Sequence, residues 1–274
     1  TLDDITPAAL SKTLELEQDI LVSLPYLGDE RNFLQERFEK TFSMNVSALQ
    51  NFLDITSGGP QSFVKRNLLR FPQAKNIAAS YGTAIHKALE DFMRDYEAHG
   101  TFSKKVLIES FESAMRKEGF EKNIIEDYLE RGREKIEALY LEITGKKYEK
   151  LQLEYNFSHD GGVWLPREDG EAIKLTGKID KVEIFPDDSL LITDYKTGGG
   201  FEGFDFKGQD YIKVKQWKYH LQLAFYDILF ELSARFRMFP RKRYELFFVE
   251  KDIKEDRFYR IEEYIQTGEK ERTK

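Results

Sequence analysis

Between Thr176 and Gly199 the chain reads TGKIDKVEIFPDDSLLITDYKTGG, and apolar and polar residues alternate on both sides of Pro186-Asp187-Asp188-Ser189. A loop of turn formers between two period-2 segments constrains this stretch to a β-hairpin. The alternation puts Asp194 and Lys196 on one face of the second strand and Tyr195 on the other. A four-residue loop then sets Asp180 within about one residue of facing Asp194. Two carboxylates and an ammonium therefore converge on one spot. Carboxylate oxygens so placed suit a hard divalent cation such as Mg²⁺, and an adjacent Lys can hold or deprotonate a water or steady the charge of a phosphorane. Taken alone, the same residues also read as exposed ion pairs on a surface hairpin, each worth at most about 1 kcal/mol. The rest of the chain has to decide between the two.

The paired stretches Gly177-Lys178-Ile179-Asp180 and Asp194-Tyr195-Lys196-Thr197-Gly198 resemble the PD-(D/E)xK nuclease signature in the form carried by RecB-like nucleases. Three further stretches resemble that family in the same order along the chain. SALQNFLDITSGGPQSFVKRNLLRFP, residues 47–72, is similar to its entry segment, in which relatives with an iron–sulfur cluster place a Cys just before the Pro; here Gly59 stands there. Tyr81-Gly82-Thr83-Ala84-Ile85-His86 with Glu90 one turn later resembles its first motif, whose His supplies an imidazole to the metal. Gln222-Leu223-Ala224-Phe225-Tyr226 resembles the closing Q-x-x-x-Y motif.

Each stretch also has a plainer reading. His86 and Glu90 share one flank of a helix and can aim at one point, although a His beside an apolar face often serves only packing. Imidazole would add a nitrogen ligand to the carboxylates, a set that also admits Mn²⁺. Gln222 and Tyr226, one turn apart, are placed to hydrogen-bond substrate or Lys196. Glu154 lies on the strand 151–157, where the family often carries an acid, and reads as a supporting residue behind the ligands or as a solvated strand face. Between Tyr211 and His220, Lys213, Lys215 and Lys218 alternate with Tyr211, Trp217 and Tyr219 without an acidic residue. That composition suits a grip on a single strand, or an ordinary loop and helix start.

Around these motifs the expected elements are two helices over residues 1–43, with an apolar stripe at Leu10, Leu14, Leu16, Ile20 and Leu21, and a helix from Ser47 with a Ser47–Gln50 capping box. A helix follows over 61–69, then one from Tyr81 to about Ala98, and two charged helices over 101–148 inserted before the sheet. In that insert Lys104-Lys105 and Arg131 with Arg133 read as solvated faces or as phosphate contacts. Strands are expected at 244–250 and 258–261, then a polar, disordered tail. The domain layout so expected is an N-terminal helical region (1–45), a nuclease domain (46–262) and the tail (263–274).

Composition narrows the function. The 274 residues, 41% hydrophobic, suffice for a real core, and the net charge of −7 confines any nucleic-acid contact to a local basic patch. Zero Cys excludes disulfides, thiolate zinc and a Cys-held iron–sulfur cluster. Neither a signal peptide nor a membrane-length apolar run is read, which makes a cytoplasmic location the default. No G-x-x-x-x-G-K-[ST] occurs, so no motor is expected in the chain itself. A start at Thr1 without Met fits an excised domain.

The resemblance covers about residues 46–250 and implies an α/β restriction-endonuclease-like core, a central mixed sheet flanked by helices, with added N-terminal and inserted helices. It implies Mg²⁺- or Mn²⁺-dependent cleavage of DNA, with His86, Asp180, Asp194 and the Tyr195 carbonyl holding the metal. Asp180, Asp194, Lys196 and Gln222 would then be catalytic; Gln222, Tyr226, Lys213, Lys215, Lys218 and Trp217 substrate-binding; and Glu90 and Glu154 supporting. It implies single-stranded DNA ends as substrate and a UvrD-like helicase, in the same polypeptide or as a partner, in repair or recombination. A non-catalytic DNA-binding module of the same fold is the alternative that intact His86, Asp180, Asp194 and Lys196 argue against. A CRISPR-associated adaptation nuclease is disfavoured because those relatives use cluster cysteines.

Overall fold

The computed structural model describes residues 30–263 apart from 160 and 253, so the stripe from Leu10 to Leu21 and the tail beyond Glu263 lie outside the described residues. The chain divides into two compact units, 1–42 and 43–274. In the first, α1 spans Glu30–Thr41, and Phe38 stacks on Phe42 with ring centroids 5.3 Å apart. Everything below concerns the second unit.

That unit begins with α2 (Val46–Leu53). Its cap is Asn45, whose side chain accepts from the Ala48 amide at 2.8 Å, and not the expected Ser47–Gln50 box. Gln50 reaches outward instead and donates to the Lys218 carbonyl. A 3₁₀ turn (Ile55–Ser57), a short α3 (Gly59–Phe63) with Pro60 in its first turn and a π-turn (Val64–Leu68) follow. Helix α4 (Ile77–His99) starts four residues before the expected Tyr81, because Asn76 accepts from the Ala78 amide. Helices α5 (Lys104–Lys117) and α6 (Lys122–Thr144) occupy the stretch read as two inserted helices. Their basic residues are drawn into ion pairs: Lys104 with Glu137, Arg131 with Asp127 and Arg133 with Glu112.

The strands are β1 (Lys150–Asn156), β2 (Val163–Pro166), β3 (Ala172–Leu175), β4 (Lys178–Ile184), β5 (Ser189–Lys196), β6 (Arg241–Phe248) and β7 (Arg260–Glu263), with α7 (Asp210–Leu232) between β5 and β6. Five form one mixed sheet in the order β1-β4-β5-β6-β7, and β2 and β3 form a separate ribbon that the sequence reading did not anticipate. The hairpin of β4 and β5 is antiparallel, with Lys181 opposite Thr193 and Ile184 opposite Leu190. Strands β5 and β6 run parallel, a pairing that a tight turn cannot make and that requires a crossover such as α7.

Alternation along β5 and β6 supplies two apolar faces. Leu190, Ile192, Tyr244, Leu246 and Phe248 pack with Leu223, Tyr226, Leu229 and Phe230 of α7. On the other face Tyr195 and Phe247 meet Ile85, Leu89 and Phe92 of α4 and, beyond them, α5 and α6. The second face also buries charge. Glu245 accepts from Thr193 at 2.8 Å and from Arg260 at 2.8 Å, and the Arg260 guanidinium lies 3.5 Å from the Phe247 ring centroid. Lys181 sits over Tyr148, and burial favours its neutral amine.

Candidate active site

The ends of β4 and β5 meet between α4 and α7, and glycines of two motifs stand at close approaches there. A Cβ on Gly82 would lie 3.0 Å from the Thr197 hydroxyl, a tight contact that glycine avoids where the α4 motif meets the D-Y-K-T-G motif. A Cβ on Gly177 would come within 2.7 Å of a Leu229 methyl, so a side chain there would displace the end of Leu229 on α7.

Continuing the β4–β5 register by one residue beyond Lys181 and Thr193 sets Asp180 directly across from Asp194. Asp180 is fastened at both oxygens: Oδ1 lies 3.0 Å from His86 Nδ1, and Oδ2 accepts from the Tyr195 amide at 2.7 Å. The third member comes from β1. Register pairs Leu153 with Lys181 and Tyr155 with Ile179, which leaves Glu154 across from Asp180 on the other side of β4. Glu154 has φ of +53°, a left-handed conformation that is costly for a residue with a Cβ. Its carboxylate is ion-paired with Lys178. The ligand atoms of His86, Glu154 and Asp180 all lie within 4.8 Å of one another, the donor set of a small divalent-cation site.

Asp194 stands beside that cluster in a cage of its own. Its Oδ1 accepts from Gln222 Nε2 at 2.8 Å and from the Tyr226 hydroxyl at 2.7 Å. Its Oδ2 is buried and faces the Lys196 ammonium at 2.5 Å as an ion pair. Lys196 also donates to Gln222 Oε1 at 2.7 Å and lies 5.0 Å from the Tyr219 ring centroid. One glutamine thus holds both members of the D-x-K pair. Burial pushes the Asp194 carboxyl above its ordinary range; Lys196 pulls it back and Asp180 adds to the push. At His86 burial opposes the charged ring, but the hydrogen bond to Asp180 and the neighbouring carboxylates outweigh it and raise its pKa. A cation at this point would relieve the repulsion between the clustered carboxylates.

The site therefore brings together His86, Asp180, Asp194, Lys196, Gln222 and Tyr226, and it gives Glu154 a direct place beside His86 and Asp180. Glu90 does not join them. It is held instead by Lys87 and Arg94 of its own helix, one turn to either side. The basic aromatic stretch also differs from the expected loop. Helix α7 begins at Asp210 and turns two of the three lysines inward. Lys215 donates to the Gly199 carbonyl at 2.5 Å among Phe201, Tyr219 and Phe248, Lys218 pairs with buried Asp54 at 2.6 Å, and Lys213 forms a surface pair with Asp210. Trp217 is half-buried. The acid-free look of residues 211–220 does not reveal these partners, since Asp54 lies far away in sequence and Asp210 lies just before the stretch.

Asp54 is the residue that sequence reasoning missed. It caps Thr56 and Ser57 and ties α2 to α7 through Lys218, one turn from Gln222. These bonds hold its carboxyl far below the usual carboxylate range, Lys218 contributing most. Lys218→Met should therefore cost about 1–3 kcal/mol at neutral pH, the usual cost of stranding one partner of a charge-assisted bond. The depressed pKa dictates the pH window. The stabilisation is complete above about pH 4 and is lost as pH falls through the folded-state value, so the two unfolding curves should converge in strong acid. Equal denaturant midpoints at pH 7 would show that the tie contributes nothing.

A five-stranded mixed sheet with helices on both faces, and an acid facing an acid-x-lysine pair at its strand ends, define a nuclease-type α/β core. Residues 43–272 match the PD-(D/E)XK nuclease superfamily, and the chain belongs to it. No curated protein matches the sequence. Among the described residues no helix is long and apolar enough to cross a membrane.

Proposed function

We propose that this chain is a divalent-metal-dependent deoxyribonuclease that hydrolyses phosphodiester bonds, acting exonucleolytically on single-stranded DNA ends beside a UvrD-like helicase in repair or recombination. The observation that carries the chemistry is the juxtaposition of the His86–Glu154–Asp180 cluster with the Asp194–Lys196 pair. The single-strand, repair and helicase elements rest on the likeness of the four motifs to RecB-like nucleases.

The residues fit a divalent ion: one imidazole and two carboxylates cluster, and a third carboxylate, Asp194, stands across the strand pair from Asp180. Mg²⁺ or Mn²⁺ held there supplies Lewis-acid polarisation of the phosphate and a water of lowered pKa. The chain's own residues do the rest. Tyr226 and Gln222 fix the rotamer of Asp194 by bonding Oδ1, which leaves Oδ2 toward Lys196. Gln222 and Asp194 together hold the Lys196 ammonium in one position, so its positive charge is in place before the phosphorane develops and costs no reorganisation. The Tyr195 amide and His86 orient Asp180 in the same manner.

The test is a gel assay on end-labelled single- and double-stranded DNA with Mg²⁺, Mn²⁺ or EDTA. Metal-dependent shortening of the single strand from an end is expected. Intact DNA under all conditions would reject the nuclease, and internal cuts alone would reject the exonucleolytic mode.

A further inference from the structure

Two of the three lysines in residues 211–220 are turned inward, and the chain has another cationic surface. From Ile55 to Leu89, thirty-five residues, there is no Asp or Glu, in a protein with 49 acidic residues in 274. The segment carries Lys65, Arg66, Arg70, Lys75 and Lys87 and includes His86. Lys75 pairs with Glu118 and Lys87 with Glu90 and Asp91, whereas Lys65, Arg66 and Arg70 are exposed and form no ion pair among the described residues. Three such cations within six residues, with no acidic residue anywhere in the surrounding stretch, make a local positive patch on a chain of net charge −7.

Their place in the fold links them to the site. The segment α2–α3–π-turn is seated on α7 by the Asp54–Lys218 pair and by the bond from Gln50 to the Lys218 carbonyl. Lys218 precedes Gln222 by one helical turn, about 6 Å along the axis. Within the segment, Asn51 bonds Asn67 at 3.0 Å, which fastens the π-turn that carries Lys65 and Arg66. Beyond it the chain leads into α4 and His86. Phe71 follows Arg70 directly and is 55% exposed, a ring open to stacking.

We propose that Lys65, Arg66 and Arg70, with Phe71, bind the backbone and a base of single-stranded nucleic acid and lead the strand to the catalytic centre. This rests on the nuclease reading of that centre. Unpaired cations neutralise phosphates without first breaking an internal ion pair, and an exposed ring stacks on unpaired bases that a duplex keeps hidden.

The test is equilibrium binding of a labelled oligo-dT across a salt series without divalent ions, so that cleavage plays no part. The triple variant Lys65→Gln/Arg66→Gln/Arg70→Asn keeps the polar character of the surface, and Asn suits the left-handed backbone of Arg70, whose φ is +56°. Its log–log salt slope should fall by about 2, at roughly 0.7 per lost phosphate contact, with weaker binding at low salt and an unchanged melting temperature. Lys146→Gln/Lys147→Gln/Lys150→Gln, which removes three exposed cations elsewhere, should bind as wild type does. Unchanged slope and affinity in the first variant, or an equal loss in the second, would overturn the proposal, as would tighter binding of a duplex of the same length. A wild type that fails to cleave with Mg²⁺ while the first variant still loses slope would sustain the surface and sink the nuclease reading instead.

Discussion

Asp194→Asn and Lys196→Ala should each slow DNA cleavage by on the order of 10²–10³-fold or more, the usual loss when one pre-placed electrostatic group is removed from a transition state. The two fail for different reasons. In Asp194→Asn the side-chain oxygen can still accept from Gln222 and Tyr226, but an amide NH₂ replaces Oδ2 and turns its hydrogens toward the Lys196 ammonium. Two donors then face each other and Lys196 loses its position. The shape of the core is kept, so the melting temperature should move by only a few degrees. In Lys196→Ala the carboxylate of Asp194 stays buried without its counter-charge. Breaking a buried pair from one side costs about 3–5 kcal/mol when no ion replaces the lost charge, so this variant should be the less stable of the two. Steady-state cleavage of a labelled oligonucleotide, with thermal melts of the same preparations, checks both. Activity within tenfold of wild type in both variants would remove this pair from the chemistry.

Mn²⁺ should raise the melting temperature of the wild-type protein by several degrees. An ion that binds only the folded state adds RT ln(1 + [L]/Kd), about 2.7 kcal/mol at a hundredfold excess over Kd. In a chain of this size each kcal/mol is worth about 2–4 °C. The cluster says which variants should lose the effect. Glu154→Gln and Asp180→Ala remove carboxylates from the group that converges within 4.8 Å, and neither should respond fully; His86→Ala should respond less than wild type. Glu90→Ala should respond normally, because Glu90 is engaged by Lys87 and Arg94. Exposed Glu109, whose nearest basic partner is Lys105 at 3.9 Å, serves as a second control. Equal shifts in every protein would mean that the ion binds elsewhere, and a normal response of Glu154→Gln alone would return that residue to a supporting role.

How much of this was legible in the chain depends on whether the determining interaction is local. Alternation and turn chemistry around Pro186–Ser189 specify the β4–β5 hairpin, and a hairpin joined by a short loop carries its own register. The facing of Asp180 and Asp194, and the opposite side taken by Tyr195, follow from those few residues. The i, i+4 spacing of Gln222 and Tyr226 put both on one flank, as the helix requires. The family likeness ordered these pieces, and the mixed sheet agrees with it.

Register between strands distant in sequence is another matter. Nothing in residues 151–157 says that Glu154 would stand across β4 from Asp180, because that pairing is set by how β1 packs along the edge of the sheet. Charge partners are equally non-local. Residues 211–220 look cationic and free until Asp54, more than 150 residues away, takes Lys218 and the Gly199 carbonyl takes Lys215. Lys65, Arg66 and Arg70 look no different in sequence and form no ion pair among the described residues. The sequence by itself determined the hairpin, the helix faces and the set of chemical groups, since each depends on neighbours within a turn or a tight loop. Only the tertiary structure decided which carboxylates share a point and which cations find an acidic partner. Coulomb energy and desolvation depend on distance and burial in space, and the order of residues along the chain does not encode either.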